Sequence, residues 1–418
     1  MYITGNNIIS SLGFSTEENY IAAKRGVSGI KRYDAGTFGL PEPFMASLID
    51  KERLNDAFAG ISSENNYTNL EKAAILSVFY ANKEAQIDLS NPRTLFVLSS
   101  TKGNVDLLDM RYEIKDMRYE TRDMRQSDVS NLKSQISNLK SLYLWHTAEL
   151  IAGFFGKKHT PVVVSNACIS GAAAQIVAKR ELDSGNYDNV VIVGVDFLSK
   201  FIISGFQSFK ALSPELCRPF DKNRSGLNLG EAAATLIMTT NKTNFRFIAG
   251  TVRNDATHIS APSRTGEGSF RALNAILNPQ ISLLPSSIFH LPSSIFHLAS
   301  QIAFINAHGT ATSYNDAMEM NAIVRAGLQE IPVNALKSCF GHTLGAAGVV
   351  EAIISMYALN EGLILKTLGF EENDNIVIDD EKYTLDVCKE NRKTDKSSFI
   401  KMMSGFGGVN VALLFCKE

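Results

Sequence analysis

The stretch Val162-Val163-Val164-Ser165-Asn166-Ala167-Cys168-Ile169-Ser170-Gly171-Ala172-Ala173-Ala174 leaves the chain few folds to choose from. Three β-branched residues read as the end of a buried strand. A small polar turn follows, and an alanine-rich start then opens a helix running through Gln175 to about Leu182. A buried strand that feeds directly into a buried helix is the building unit of an α/β fold with a mainly parallel sheet. Cys168 falls at the junction, where backbone N–H groups are unpaired and the helix dipole favours negative charge. That position predicts a thiol that ionises more readily than the reference value of about 8.5. The plainer alternative is a buried structural cysteine.

The same alternation runs along the chain. Residues 1–13 read as a strand and a Gly-bounded turn whose glycines do not match the dinucleotide-binding pattern GxGxxG. Ser15-Thr16-Glu17-Glu18 caps a helix to Arg25, and residues 69–85 carry helical periodicity. Thr94–Leu98 is a buried strand, and the polar loop Ser99–Asn104 sits at its C-terminal end, where ligand sites of α/β folds gather. Further strands are Val190–Asp196 and Ala232–Met238, the second entered from the polar loop Cys217–Glu231. From about Phe245 the pattern starts again, with a strand near 247–252 and a helix near 268–277. Ala303-Phe304-Ile305 then ends in Asn306-Ala307-His308-Gly309-Thr310. Cys168 and His308 thus stand at junctions that read as equivalent, which points to internal duplication into halves 1–243 and 244–418.

Composition sets the class. With 418 residues, 45% of them hydrophobic, the chain can bury a large core. A net charge of −2 without a basic run argues against a nucleic-acid partner. Five cysteines, odd in number and without a CxxC pair, argue for a reducing compartment and against a disulfide framework or a zinc site. No signal-peptide pattern and no apolar run of membrane-spanning length is present, so a cytoplasmic protein is expected.

One stretch looks foreign. Asp109-Met110-Arg111-Tyr112-Glu113-Ile114-Lys115 recurs as Asp116-Met117-Arg118-Tyr119-Glu120-Thr121-Arg122 and begins again at Asp123. Ser130-Asn131-Leu132-Lys133-Ser134 recurs at 137–141, and Leu284-Pro285-Ser286-Ser287-Ile288-Phe289-His290 recurs at 291–297. Three unrelated units share one seven-residue period, which fits tandem duplication of short segments rather than a solenoid. The units lack the apolar a and d positions of a coiled coil. Residues about 106–141 and 281–298 therefore read as surface insertions, and His290 and His297 as parts of a duplicated loop.

Three groups join Cys168 as candidate site residues. His308 lies in its Asn-Ala-His-Gly-Thr turn, Lys337 in Ala335-Leu336-Lys337-Ser338, and His342 just before the Gly/Ala-rich run Gly345-Ala346-Ala347-Gly348. Near the end, Ser404-Gly405-Phe406-Gly407-Gly408-Val409-Asn410 is a glycine turn before a last strand. Small neighbours let a ligand approach the backbone closely.

On these blocks, together with Pro219-Phe220-Asp221 and Gly230-Glu231-Ala232, the chain resembles the β-ketoacyl-acyl-carrier-protein synthases of the thiolase fold. The resemblance spans nearly the whole chain outside the repeats. Two histidines beside the cysteine, rather than a His–Asn pair, match the elongating branch. It implies a thiolase-like fold with two duplicated halves in a layered αβαβα core. It also implies a decarboxylative condensation of an acyl-Cys168 thioester with malonyl-carrier protein, in fatty-acid or polyketide elongation. In that scheme His308 and His342 donate to the malonyl thioester oxygen, and Lys337 holds the histidine network and favours anions. The backbones of Cys168 and Phe406 form the oxyanion hole, and Phe406 is also a gate. Asp316 and Glu319 match the acidic pair after the first histidine, with Glu319 organising Lys337 or a water. No cofactor or metal is implied, because substrates ride on the phosphopantetheine of acyl carrier protein. The partners implied are that carrier and a second subunit, in a homodimer or a heterodimer with a related ketosynthase subunit, and no membrane. The alternatives are a noncatalytic chain-length factor of another synthase and a Cys–His hydrolase, which lacks an acidic orienter in motif context. The loop Thr101-Lys102-Gly103-Asn104 departs from the pocket floor common in the family, so no chain length is implied.

Overall fold

The computed structural model describes residues 1–64, 66–108, 138–277, 300–378 and 380–418. The heptapeptide repeats at 109–125 and 284–297, with His290 and His297, lie outside the described residues. The flanks of the first insertion are built into the fold. Leu107 is buried, and the Ser141 carbonyl accepts from Asn104 Nδ2 (3.0 Å) and Thr147 Oγ1 (3.1 Å).

Ten strands make the central sheet: β1 (Tyr2–Ser10), β2 (Thr94–Ser99), β3 (Val162–Val164), β4 (Asn189–Asp196), β5 (Ala232–Thr239), β6 (Phe245–Asn254), β7 (Ile302–Asn306), β8 (Val333–Asn334), β9 (Ser398–Gly405) and β10 (Val409–Lys417). Their spatial order is β3-β2-β4-β5-β1-β6-β10-β9-β7-β8. Outward from the middle the order is first, fifth, fourth, second, third strand on each side. The polarity repeats as well, with two antiparallel pairings and then two parallel ones. The two sides meet through Tyr2↔Arg246 and Ile3↔Phe245.

Seven helices matter for the site: α1 (Asn69–Ala85), α2 (Leu144–Phe154), α3 (Ser170–Asp183), α4 (Glu267–Leu277), α5 (Ser313–Arg325), α6 (Lys337–Phe340) and α7 (Ala347–Asn360). Side chains alternate across each strand, so every strand feeds two layers. Val190 and Ile192 of β4, with Phe399 and Met403 of β9, pack on α3 and α7 in the middle. The opposite faces, Val191, Val193 and Val195 on one side and Ile400 and Met402 on the other, pack under α1 and α2 and under α4 and α5. Helix, sheet, helix, sheet and helix follow in order, and strands buried on both faces read as the continuous apolar runs seen in the sequence. A β-carbon at Gly348 would lie 2.4 Å from the Ala172 nitrogen, so α3 and α7 cross at a point where only glycine fits. Among the described residues no helix is long and apolar enough to cross a membrane.

The sheet order corrects one expectation. His308 follows β7, whose counterpart is β2, so its matching place is the turn after Ser99. Cys168 follows β3, and its counterpart is the stretch after β8 that carries Lys337 and His342. Every β-to-α junction reads as strand, small turn and helix. The local pattern therefore cannot say which strand of a half it follows.

Candidate active site

Three chain turns meet at one end of the central helix layer. The first holds Cys168. Ala167 before it takes φ 46°, a left-handed conformation costly for a residue with a β-carbon. Ser170 Oγ pins the turn by accepting from the Asn166 N–H (2.8 Å) and donating to the Ala167 carbonyl (2.6 Å). The glycine turn after β9 lies against it: a β-carbon on Gly405 would stand 3.4 Å from the Cys168 nitrogen.

The second turn carries His308 and is held from two sides. Glu319 accepts the N–H groups of His308 (2.6 Å) and Gly309 (2.7 Å), and Asp316 accepts those of Thr310 (3.0 Å), Ala311 (3.1 Å) and Phe220 (2.7 Å). From the other side, Lys337 Nζ donates to the His308 carbonyl (2.6 Å) and to Glu351 Oε1 (2.7 Å). Glu319 was expected to organise Lys337 or a water. It holds the backbone under the histidine, and the carboxylate bonded to Lys337 is Glu351 rather than Glu319. The reason is geometric: Glu319 on α5 lies on the N–H side of the turn, whereas α7 brings Glu351 to the carbonyl side.

The third turn carries His342, whose N–H donates to the Asn228 carbonyl (2.7 Å). Asp196, at the end of β4, accepts from the Gly345 N–H (2.7 Å), Ser100 Oγ (2.7 Å) and the Thr101 N–H (3.0 Å). The polar loop after β2 thus braces the His342 turn and does not line the cavity described below.

Cys168 Sγ and the two imidazoles offer atoms that all lie within 4.8 Å of one another. The rings of His308 and His342 meet edge-on, with centroids 5.1 Å apart at 81°. Burial, the Lys337 ammonium and the Lys401 ammonium drive both imidazoles well below the ordinary histidine value, so both rings are neutral near pH 7. The thiol moves the other way from expectation. Burial pushes Cys168 up to about 11, and Lys337 offsets only part of that. The helix start is real, but the cost of burying a thiolate outweighs it. Three N and S donors this close match the spacing of a soft metal site, yet two buried ammonium groups beside them disfavour a dication.

The three side chains open on a cavity of about 330 Å³. Phe406 lines it, 39% exposed, stacked on Phe206 (centroids 5.9 Å) and tilted against Phe209 (5.5 Å). Two buried neutral donors and a thiol in an apolar-walled pocket suit chemistry on a carbonyl carbon whose oxygen gains charge.

The sequence profile of the N-terminal domain of beta-ketoacyl synthases matches residues 3–244, and that of their C-terminal domain matches residues 295–371. The chain belongs to the beta-ketoacyl synthase family. The 3-oxoacyl-[acyl-carrier-protein] synthase 2 of Vibrio harveyi is 28% identical over 282 residues, 63% of this chain and 63% of the relative. The match thus spans about three-fifths of the relatives' length. Two solved structures share the synthase fold over 100% of this chain. A beta-ketoacyl synthase from Burkholderia phymatum has a TM-score of 0.80 at 24% identity, with 99% of that chain covered. A chain of the complex of the ketosynthase ApeO with its chain length factor ApeC from Xenorhabdus doucetiae has a TM-score of 0.80 at 21% identity, with 98% of that chain covered.

In this synthase-family chain the structure brings Cys168, His308, His342 and Lys337 together, sets Glu319 and Asp316 beneath His308, and places Phe406 on the cavity wall. The motif-based reading missed Glu351 and Lys401. A signal for both was present: Glu351 stands alone in the apolar run Ala346–Met356 apart from Ser355, and Lys401 interrupts Phe399-Ile400-Lys401-Met402-Met403. A lone charge in a fully buried run requires a buried partner of opposite sign.

Proposed function

We propose that the chain is an elongating β-ketoacyl-acyl-carrier-protein synthase, acting in the cytoplasm on carrier-bound fatty-acid or polyketide chains. The observation that supports it is the convergence of Cys168 Sγ with two neutral imidazoles within 4.8 Å in one cavity. In the first step Cys168 sulfur bonds to the acyl carbonyl carbon and the bond to the phosphopantetheine sulfur breaks. The thiol is protonated at rest, so its proton passes to an imidazole as the sulfur attacks and then to the departing thiolate. Backbone N–H groups of Cys168 and Phe406 hold the oxyanion. In the second step the malonyl thioester oxygen accepts N–H bonds from His308 and His342. The malonyl carbon–carboxylate bond breaks to release carbon dioxide, the enolate carbon bonds to the acyl carbon as the Cys168 C–S bond breaks, and the departing thiolate takes up a proton from solvent to restore the resting thiol. Neutral rings suit this role because they donate without giving up a proton to the enolate.

Acyl carrier protein is the substrate partner in this reading. The subunit pairs with a second copy or with a related ketosynthase subunit through the sheet edge at β3, whose three valines are only half-buried. A noncatalytic chain-length factor would have no use for a nucleophile and two donors aimed at one point. Intact-protein mass spectrometry tests the reading. An acyl adduct on Cys168, followed by a 3-ketoacyl product two carbons longer after malonyl-carrier protein is added, is the expected result. A folded chain that takes no acyl group across several lengths overturns it.

A further inference from the structure

The core holds a second buried lysine that no step above uses. Lys401 sits on β9 between Phe399 and Met403, on the face turned to the central helices, with no exposed surface. Its ammonium donates to the Ala307 carbonyl (2.9 Å), the Asn306 carbonyl (3.4 Å) and Glu351 Oε2 (2.5 Å). Lys337 takes the other oxygen of Glu351 and the next carbonyl, that of His308 (2.6 Å). Two lysines bridged by one carboxylate thus cap three consecutive carbonyls, 306 to 308, while Glu319 caps the N–H groups of 308 and 309. The clamp carries two positive charges against one negative.

Burying a second ammonium on a single shared carboxylate is costly, and stability alone does not explain it: an apolar residue of similar volume is often neutral or stabilising at such a site. What Lys401 supplies that an apolar residue cannot is a fixed cation behind His308. We propose that Lys401 is a positioning residue for the condensation step, locking the His308 turn through the Ala307 and Asn306 carbonyls and keeping His308 and His342 unprotonated. This rests on the reaction proposed above.

The titratable groups facing His308 come from every packed element. They are Lys337 on α6, Lys401 on β9, Glu351 on α7, Glu319 and Asp316 on α5, and His342 and Cys168 in the neighbouring turns. Both lysines push the imidazoles toward the neutral form. Lys401 is itself drawn down to about 8 by burial, with Glu351 opposing. Removing Lys401 therefore raises the imidazole values, and activity that depends on neutral rings is then lost at a higher pH as the solution is acidified.

Lys401→Met is the direct test, read as decarboxylation of malonyl-carrier protein and, separately, as acylation of Cys168. Decarboxylation at pH 7 is expected to fall about ten- to a hundred-fold, the scale of misplaced catalytic groups. Acylation should stay within about two-fold, because either imidazole can take the thiol proton. The acid limb of the decarboxylation profile should move up by about one pH unit. Lys401→Arg, which keeps the charge, should leave that limb in place. An unmoved limb with near-normal decarboxylation in Lys401→Met overturns the proposal. If Lys401→Met does not fold, nitrogen-15 histidine NMR of the unsubstituted chain decides. Both rings are expected to be neutral at pH 7, and a ring protonated there overturns the proposal. If the unsubstituted chain does not decarboxylate malonyl-carrier protein, the proposed function fails, while the histidine titration still tests Lys401.

Discussion

The two halves of the sheet differ most where they correspond most closely. Gly194 of β4 pairs with Ser99, the last residue of β2, and Lys401 of β9 pairs with Asn306, the last residue of β7. Both positions face the central helices. On the first half a β-carbon would come within 3.0 Å of Val349 Cγ2 and 3.1 Å of Ala346 Cα, so the helix backbone rests on glycine. On the second half the same place holds a full lysine and its carboxylate partner. The turn that follows differs accordingly. On the first half an acid, Asp196, gathers N–H and hydroxyl donors; on the second, Glu319 and Asp316 gather N–H groups from one side and two lysines gather carbonyls from the other. One duplicated scaffold thus carries a lysine where the first half has glycine, and an acid, Asp196, where the second half has Met403. The junction after β3 received the nucleophile, its counterpart after β8 received Lys337 and His342, and the turn after β7 received His308.

The sharpest break is Cys168→Ala, which should abolish the acyl adduct in intact mass spectrometry while the chain still melts cooperatively. A persistent adduct would move the nucleophile elsewhere. Next in size, His308→Ala and His342→Ala should each lower condensation by about a hundred-fold or more, the scale of a lost oxyanion donor, and keep some acylation. Either variant condensing at a near-normal rate would remove that ring from the reaction. Glu351→Gln leaves two buried ammonium groups without their shared anion and should cost about 3–5 kcal/mol by denaturant unfolding. A loss below about 1 kcal/mol would mean the lysines find other partners. Gly194→Ala should cost about 1–3 kcal/mol by crowding Val349 and Ala346, and an unchanged melting curve would show that the first half can open as the second does. The smallest effect is on pH. Both histidine values are depressed, so the neutral rings persist below the ordinary value of about 6.5. Condensation should therefore stay nearly flat from pH 7.5 to 6.5 and fall only at lower pH, and a midpoint at 6.5 or above would contradict the burial argument.

Much of this was legible in the residues. Ser15 caps its helix as read, the helix at 69–85 has the span its periodicity gave, and the strands at Thr94, Val190 and Ala232 lie where the apolar runs put them. The convergence of Cys168, His308 and His342 could be anticipated because reactive side chains in turns of small residues are rare outside ligand sites. What could not be read was relational. The pairing of junctions depends on strand order, which is long-range information. The sign of the Cys168 shift depends on how deeply the helix start is buried, a property of packed layers and not of local sequence. The carboxylate partner of Lys337, Glu351, lies 14 residues on along α7, nearer in sequence than Glu319, but it belongs to no motif that carried the resemblance, and only the packing of α7 against the His308 turn selects it.

The Lys337–Glu351–Lys401 cluster also decides which reagents should find this cysteine. A positive potential behind the thiol draws anionic electrophiles and repels cationic ones. Iodoacetate should therefore gain on neutral iodoacetamide at Cys168 relative to a free thiol, and a quaternary-ammonium haloacetamide should fall behind both. Adding salt should narrow these differences little, because the charges are buried. A covalent probe for this cavity is better built around a carboxylate than around an amine.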